Sequence, residues 1–214
     1  MIKGVLFDMD GVLVDSERFI AKAATIMFEE LGVKVNPEDF HPFVGTGENR
    51  YIGGVAEKYG IKVDLPKVKA RTYEIFGEIA RKNLFPLPGA GEFIDRCRIR
   101  GLKMALATSA DKVKMVINLT EIGLPPETFN SIITGEDVVN KKPFPDIYLK
   151  AAGSLGLKPG DCLVVEDAVS GIRSGKSAGC RCLAVTTSFT ADSLHEADWI
   201  YPSLIEVPDE VLEW

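Results

Sequence analysis

The feature that most constrains the fold is a set of five short apolar runs without the polar alternation of a half-exposed strand. Each run is rich in Val, Ile or Leu, helix-like segments separate them, and they lie at 4–7, 102–107, 131–133, 162–165 and 181–185. Continuous apolar runs separated by helices are typical of parallel strands that are covered on both faces. The sequence therefore predicts an α/β fold with a doubly wound, Rossmann-like parallel sheet.

The interval between the first two runs is unusual because it spans about ninety residues, roughly three times a βαβ crossover. It contains three segments of helical periodicity, at 17–31, 49–59 and 66–82, and Ser16 is a suitable N-cap for the first. Two prolines and a glycine follow within 83–89, as expected for a linker. We predict an inserted helical cap at 16–83 and an α/β core at 1–15 and 84–214.

The charge balance limits the class of partner. The chain has 25 Lys and Arg against 31 Asp and Glu, and its net charge of −6 disfavours nucleic acid and anionic membrane surfaces. No apolar run reaches the length of a membrane span, and the first residues form no signal-peptide core. We expect a monomeric, cytoplasmic protein that acts on a small molecule.

Two acids, Asp8 and Asp10, follow the first apolar run and are separated by one residue. Carboxylates this close repel each other and need a compensating cation, a proton or water. Polar residues also follow the other runs, and functional groups collect at the edge where parallel strands end; these residues are Thr108, Ser109, Lys142, Glu166 and Asp167. Each alone also fits a turn, a cap or a solvated loop. Together they suit Mg²⁺ and a phosphate group.

The segments around these residues resemble the four motifs of the haloacid dehalogenase superfamily of phosphohydrolases. The matching segments are FDMDGVLVDSE at Asp8, ALATSA at Thr108, KKPFPD at Lys142 and VVEDAVSGIRSGKSAG at Glu166. The likeness covers nearly the whole chain and points to the branch that contains β-phosphoglucomutase and small sugar-phosphate phosphatases. The resemblance implies a doubly wound core with a helical cap inserted after the first motif.

The resemblance also implies catalytic roles. It makes Asp8 the nucleophile that forms an aspartyl phosphate, and Asp10 the general acid and then the general base. It assigns stabilisation of the phosphoryl oxygens to Thr108 and Lys142, and Ser109 joins them as a phosphate-binding residue.

The same resemblance implies a magnesium site. Its ligands are the Asp8 side chain, the Asp10 backbone carbonyl and Asp167, and Glu166 assists directly or through water. The two acids after the first run are then tolerated because a divalent cation lies between them.

Two positions depart from the mutase. Ile20 occupies the position of a cap histidine, and Glu48 aligns with an arginine that grips the second phosphate of the mutase substrate. Both departures favour hydrolysis over mutase chemistry. Arg50 lies near the aligned position, so we predict it as a substrate-binding residue, with a plain surface charge as the alternative.

Several other classes share part of this pattern. The stretch 171–177, GIRSGKS, ends like a phosphate-binding loop, but three residues separate its glycines where that loop needs four. A phosphate-accepting signalling module uses similar acids, but it lacks a long helical insert and carries its acceptor on a later strand. A carbon–halogen hydrolase lacks the second acid and the metal-binding set.

The prediction is a Mg²⁺-dependent phosphatase of a small phosphorylated metabolite, with sugar phosphates as the expected class. A β-phosphoglucomutase-type phosphotransferase and the signalling module remain the alternatives.

Overall fold

A computed structural model describes residues 1–44 and 46–213 of the chain. It contains the strands β1 (Gly4–Phe7), β2 (Lys103–Ala107), β3 (Ser131–Ile133), β4 (Cys162–Glu166), β5 (Arg181–Val185) and β6 (Trp199–Tyr201). All six are parallel and form one sheet in the order β3-β2-β1-β4-β5-β6. The predicted α/β fold with a doubly wound parallel sheet is confirmed. The sequence does not predict β6, because a half-buried edge strand of three residues leaves too short an apolar pattern.

The first strand lies at the point where the strand order changes direction. β1 pairs with β2 on one side and with β4 on the other, and Phe7 lies opposite both Leu106 and Val165. In open parallel sheets, ligands bind at this switch point, outside the carboxyl ends of the strands. Asp8 directly follows β1 and therefore begins at the centre of that edge.

Three helices fill the long interval after β1. They are α1 (Glu17–Glu30), α2 (Glu48–Lys58) and α3 (Leu65–Ala80), and a 3₁₀ segment at Pro37–Phe43 lies between the first two. Their bounds differ from the predicted ones by two residues at most. The division into a cap at 16–83 and a core at 1–15 and 84–214 stays a prediction.

The remaining helices alternate with the later strands. They are α4 (Ala90–Ile99), α5 (Lys112–Glu121), α6 (Asp146–Ser154) and α7 (Val169–Ala178). Short 3₁₀ segments occur at Pro126–Thr128, Gly135–Asp137, Pro159–Asp161, Leu204–Glu206 and Asp209–Leu212. Among the described residues, no helix combines the length and the apolar character that crossing a membrane requires.

The chain leaves the sheet after β1 and returns to it at adjacent points. Val14 forms an isolated bridge with Pro86, and the N–H of Leu87 donates to the carbonyl of Leu13 at 2.9 Å. The outgoing and returning connections of the helical interval therefore run side by side.

Apolar side chains form two clusters, one on each face of the sheet. Val5 and Phe7 belong to the first cluster and Leu6 to the second, as expected from the alternation of side chains along a strand. The first cluster continues into the helical interval, since it includes Phe28 and Phe76. Packing on both faces fixes β1 and thereby the backbone that carries Asp8.

Candidate active site

One pocket at the carboxyl edge of the sheet brings together all the core residues predicted from the sequence. These residues are Asp8, Asp10, Thr108, Ser109, Lys142, Glu166 and Asp167. The facing wall comes from the helical interval and includes Glu17, Ile20, Glu48 and Tyr51. The pocket therefore joins the ends of several strands to the first two helices.

The centre of the pocket is a buried group of two acids and a lysine. Nζ of Lys142 lies 2.5 Å from Oδ1 of Asp8 and 2.6 Å from Oε1 of Glu166. Burial raises the pKa of Asp8 to about 7, although the Lys142 ammonium opposes this shift. Burial disfavours the charge of Lys142, but the carboxylates of Asp8 and Glu166 outweigh burial and raise the pKa of Lys142. Lys142 therefore remains a cation directly beside the Asp8 carboxylate.

Glu166 anchors Lys142 in this position. Its Oε1 also accepts a hydrogen bond from the hydroxyl of Tyr148 at 3.0 Å, and its Oε2 accepts from the N–H groups of Asp167 and Ala168, both at 2.9 Å. A carboxylate offers about four acceptor sites, and the contacts with Lys142, Tyr148 and the two amides use them. Glu166 is thus saturated by the protein itself.

Three buried carboxylates form a group that can hold a cation. One oxygen each from Asp8, Glu166 and Asp167 lies within 4.8 Å of the others. Burial, followed by the charges of Glu166 and Asp8, raises the pKa of Asp167 well above its usual range. A divalent cation relieves this repulsion, and hard cations such as Mg²⁺ prefer oxygen donors. The donor set therefore fits a hard divalent cation.

Two glycines make room for these carboxylates. A Cβ atom at Gly11 would lie 1.8 Å from Oδ2 of Asp167, and one at Gly171 would lie 1.7 Å from Oε1 of Glu166. Gly11 also has a φ of +78°, a conformation that other residues rarely adopt. Both acids therefore occupy space that any side chain at these glycines would fill.

Three donors hold the carboxyl group of Asp10. Oδ2 accepts from Nζ of Lys114 at 2.9 Å, whereas Oδ1 accepts from Nδ2 of Asn118 at 3.0 Å and from the hydroxyl of Ser16. Ser16 occupies the N-cap position of α1 but makes no side-chain cap hydrogen bond. The prediction of Ser16 as a capping side chain is wrong, because its backbone has helical dihedral angles in place of the extended ones of a typical N-cap, and its side chain turns to Asp10.

Thr108 lies just beyond β2 with its side chain buried. Its Oγ1 accepts a hydrogen bond from the N–H of Ala110 at 3.1 Å, which leaves the hydroxyl hydrogen for another acceptor. Ser109 lines the same pocket. Both residues therefore line the pocket that contains Asp8.

The facing wall of the pocket is acidic. The hydroxyl of Tyr51 donates to Oε1 of Glu17 at 2.7 Å, and burial raises the pKa of Glu17. Glu48 is the first residue of α2, and burial raises its pKa to about 7. Oε1 of Glu48 lies 3.9 Å from Nζ of Lys114. The buried side chain of Ile20 adds an apolar patch without a titratable group.

The structure does not bring Arg50 into this pocket. Its guanidinium group donates to Oε2 of Glu57 at 2.7 Å and lies 5.1 Å from the ring centroid of Phe43. The Arg50 side chain is 53% exposed. Residues two apart on an α-helix point about 200° away from each other, so Arg50 and Glu48 occupy opposite faces. The prediction of Arg50 as a substrate-binding residue is corrected to the alternative, a surface charge.

Sequence analysis missed Lys114, Asn118 and Tyr148, each of which contacts a predicted acid. Lys114 is 104 residues from Asp10 along the chain, so no local motif connects them. One signal was available, because Lys114 and Asn118 stand four residues apart on α5 and share its buried face. Two polar residues on a buried helical face indicate a polar site.

Comparisons with known proteins agree with this geometry. The family model described as haloacid dehalogenase-like hydrolase matches residues 5–185. The protein SUPPRESSOR OF QUENCHING 1, chloroplastic, of Arabidopsis thaliana is 41% identical over 207 residues, which cover 95% of this chain and 19% of that longer protein. Hexitol phosphatase A of Escherichia coli is 33% identical, with 96% of this chain and 93% of the relative covered.

A solved structure has the same fold. CbbY from Rhodobacter sphaeroides, in complex with xylulose-(1,5)bisphosphate, matches with a TM-score of 0.88 at 26% identity, and 96% of each chain is covered. The family match spans most of this chain, and relatives named as phosphatases confirm the predicted enzyme class, a phosphoric monoester hydrolase. The chain belongs to the haloacid dehalogenase-like hydrolases, in the branch that contains sugar-phosphate phosphatases.

Proposed function

We propose that this protein is a Mg²⁺-dependent phosphatase that hydrolyses a small phosphomonoester, a sugar phosphate, through an aspartyl phosphate at Asp8. The observation that carries the proposal is the 2.5 Å contact between Asp8 and Lys142, beside the buried carboxylate of Asp167 and in the same pocket as Asp10. This arrangement combines a nucleophile, a cation for phosphoryl oxygens and a second acid.

In the first half-reaction, a carboxylate oxygen of Asp8 attacks phosphorus, and the bond from phosphorus to the ester oxygen breaks. Asp10 donates a proton to the departing oxygen, so a neutral alcohol leaves. Lys142 and Thr108 stabilise the phosphoryl oxygens as charge develops on them. Ser109 donates to the same group.

In the second half-reaction, water attacks phosphorus and the bond from phosphorus to Asp8 breaks, which releases inorganic phosphate. The Asp10 carboxylate accepts the proton of the water and is ready to act as an acid again. Its contacts support this role, since hydrogen bonds from Lys114, Asn118 and Ser16 orient the Asp10 carboxyl group in the same pocket as Asp8.

The proposed ligands of Mg²⁺ are the side chains of Asp8 and Asp167 and the backbone carbonyl of Asp10. Glu166 acts through water, because the protein already occupies its acceptor sites. When bound, the cation neutralises the acids and polarises the phosphoryl group. Phosphatases of this family generally use a divalent metal, which supports the assignment.

Residues 16–83 are proposed to act as a cap over the phosphoryl group. α1 and α2 supply the facing wall, and Lys69 of α3 pairs with Asp111 just before α5 at 2.6 Å. Such a segment excludes bulk water during attack on phosphorus and selects the alcohol part of the substrate.

Two observations favour hydrolysis over the alternatives. Ile20 gives the facing wall no titratable group where the mutase carries a histidine, which argues against the phosphotransferase. Asp8 follows the first strand and a long helical interval comes next, which argues against a signalling module. We propose action on a dissolved metabolite, as a cytoplasmic monomer, and the net charge of −6 argues against a polyanionic partner.

The test is phosphate release from sugar phosphates, nucleotides, phosphoglycolate and pyrophosphate, with and without Mg²⁺, for wild type and Asp8→Asn. We expect selective, metal-dependent release, and a fall in kcat of about 10⁴-fold or more in Asp8→Asn with unchanged circular dichroism. Substantial turnover by Asp8→Asn would refute the nucleophile. If wild type releases no phosphate from any compound, labelling of Asp8 by a phosphoryl donor distinguishes the phosphotransferase and the signalling module from an inactive protein.

A further inference from the structure

Glu48 is a buried carboxylate that the proposed chemistry leaves unused. Its side chain is 9% exposed, it lines the pocket, and its Oε2 has no hydrogen-bond partner among residues 1–44 and 46–213. A buried acceptor without a partner costs free energy that a bound donor recovers. Glu48 lies in the wall that faces Asp8 and Asp10, so a bound substrate can supply that donor.

A hydrogen-bond donor lies beside this acceptor. Nζ of Lys114 is 3.9 Å from Oε1 of Glu48 and 2.9 Å from Oδ2 of Asp10. An ammonium group has three N–H donors, and Asp10 takes one of them. The pocket wall therefore presents an acceptor and a donor side by side, next to the acid that meets the ester oxygen.

We propose that Glu48 and Lys114 together bind a hydroxyl group of the alcohol part of the substrate, so that Glu48 selects polyol monophosphates. The inference rests on the proposed phosphatase function and adds the chemistry of the leaving group. A hydroxyl group can donate to Oε2 of Glu48 and accept from Lys114 at the same time.

Other substituents satisfy only one of these two partners. A second phosphate accepts hydrogen bonds without donating, and it meets the acids Glu17 and Glu48 of the pocket wall. An ammonium group donates to Glu48 but cannot accept from Lys114. The acidic facing wall therefore disfavours bisphosphates, and a neutral hydroxyl group satisfies both Glu48 and Lys114.

The experiment compares polyol monophosphates with an alkyl phosphate that lacks hydroxyl groups. The polyol substrates are sorbitol 6-phosphate, glucose 6-phosphate, ribose 5-phosphate and glycerol 3-phosphate, and the references are hexyl phosphate and fructose 1,6-bisphosphate. Glu48→Met removes the acceptor at similar side-chain length. We expect kcat/KM on the best polyol substrate to fall about 10- to 100-fold in Glu48→Met, with hexyl phosphate changed less than about 3-fold.

Glu57→Met is the matched control, since Glu57 lies on the same helix with a side chain that is 69% exposed and paired with Arg50. It is expected to match wild type on every substrate. Equal losses on polyol and alkyl substrates in Glu48→Met would overturn the inference. Preference of wild type for the bisphosphate, or for hexyl phosphate over every polyol, would overturn it as well.

A binding measurement separates this inference from the phosphatase assignment. Calorimetry measures the Kd of the polyol monophosphates for Asp8→Asn and for Asp8→Asn/Glu48→Met, in the presence of Mg²⁺. A Kd raised about 10-fold or more by Glu48→Met supports the hydroxyl site even if wild type proves unable to hydrolyse the ligand, in which case only the phosphatase assignment falls. An unchanged Kd refutes the hydroxyl site while leaving that assignment intact.

Discussion

Nζ of Lys114 lies 2.9 Å from Oδ2 of Asp10, and the Lys114 side chain is only 5% exposed. The nearby carboxylates of Asp10, Glu48 and Glu17 outweigh the effect of burial and raise the pKa of Lys114, so it stays charged. Its ammonium group thus holds the Asp10 side chain at the pocket wall through a charge-assisted hydrogen bond.

Replacement of Lys114 by Met should therefore damage both stability and turnover. It leaves the Asp10 and Glu48 carboxylates without their cation, and breaking a buried pair costs about 3 kcal/mol. We expect the free energy of unfolding in urea to fall by about that amount and kcat to fall about 10- to 100-fold. Lys112→Met, at an exposed position on the same helix, is the control. Wild-type stability and kcat in Lys114→Met would contradict the role assigned to this contact.

Gly171 and Gly91 both lie in helices, and their replacement by Ala is expected to change the free energy of unfolding in opposite directions. A Cβ at Gly171 would lie 1.7 Å from Oε1 of Glu166, whereas a Cβ at Gly91 meets nothing within 4 Å. Gly171→Ala must displace the carboxylate that anchors Lys142, so we expect a loss of about 2 kcal/mol in unfolding free energy and a fall in kcat. Gly91→Ala should gain about 0.5 to 1 kcal/mol, since alanine is the better helix former. Chemical unfolding of both variants checks the signs, and a neutral Gly171→Ala would show that Glu166 is free to move.

Added Mg²⁺ should stabilise the folded protein. In the proposed site the cation is held by the side chains of Asp8 and Asp167, which folding brings together beside Glu166, and a ligand at about 100 times its Kd adds about 2.7 kcal/mol. For a chain of this length, the expected rise in Tm is about 5 to 10 °C. Asp167→Asn should show a higher Tm than wild type without metal, because it removes one repelling charge, and a smaller rise with Mg²⁺. Identical metal-induced shifts in both proteins would exclude Asp167 as a ligand.

The hydrogen bonds that Asp39 accepts make the stability of the folded protein depend on pH. It accepts hydrogen bonds from Nζ of Lys58 and the hydroxyl of Tyr59, both at 2.5 Å, and from the N–H of Asn36, and these bonds lower the pKa of Asp39 to about 2. The folded-state pKa lies below the unfolded value of about 3.9, so the contribution of Asp39 is fully present above the unfolded value. It is lost as the pH falls through about 2.

Asp39→Asn should therefore be less stable than wild type at pH 6, and the difference should shrink between pH 4 and pH 2. Urea titrations at several pH values measure it. Glu38→Gln, exposed on the same 3₁₀ segment, is expected to follow wild type throughout. A difference between Asp39→Asn and wild type that stays constant down to pH 2 would exclude the ionised Asp39 as its source.

The sequence predicted the parts of the site that lie at strand ends. Asp8, Thr108 and Glu166 each end or directly follow an apolar run, so a parallel sheet necessarily gathers them at one edge. Lys142 lies in a loop and was found through its motif. The positions of Asp8, Thr108 and Glu166 are set by the order of the strands and not by the orientation of the helices.

The parts that could not be predicted depend on helix orientation. Lys114 reaches Asp10 only because α5 turns one face toward β1, and that rotation has no local signature. Arg50 was assigned to the pocket by alignment, but the rotational phase of α2 points Glu48 inward and Arg50 outward. The position of Ser16 before a helix predicts a cap, but its side chain turns to Asp10, and its hydroxyl donates to that carboxyl group.

The paired connections at Leu13, Val14, Pro86 and Leu87 have an evolutionary consequence. A segment whose two ends lie side by side can be lengthened, shortened or exchanged without altering the strand order, because closing the remaining gap needs only a short loop. The residues that this interval adds to the pocket wall, such as Ile20 and Glu48, can then change without altering the strands that precede Asp8 and Thr108. New substrate preferences could arise in such a lineage by changes confined to one continuous stretch of the gene.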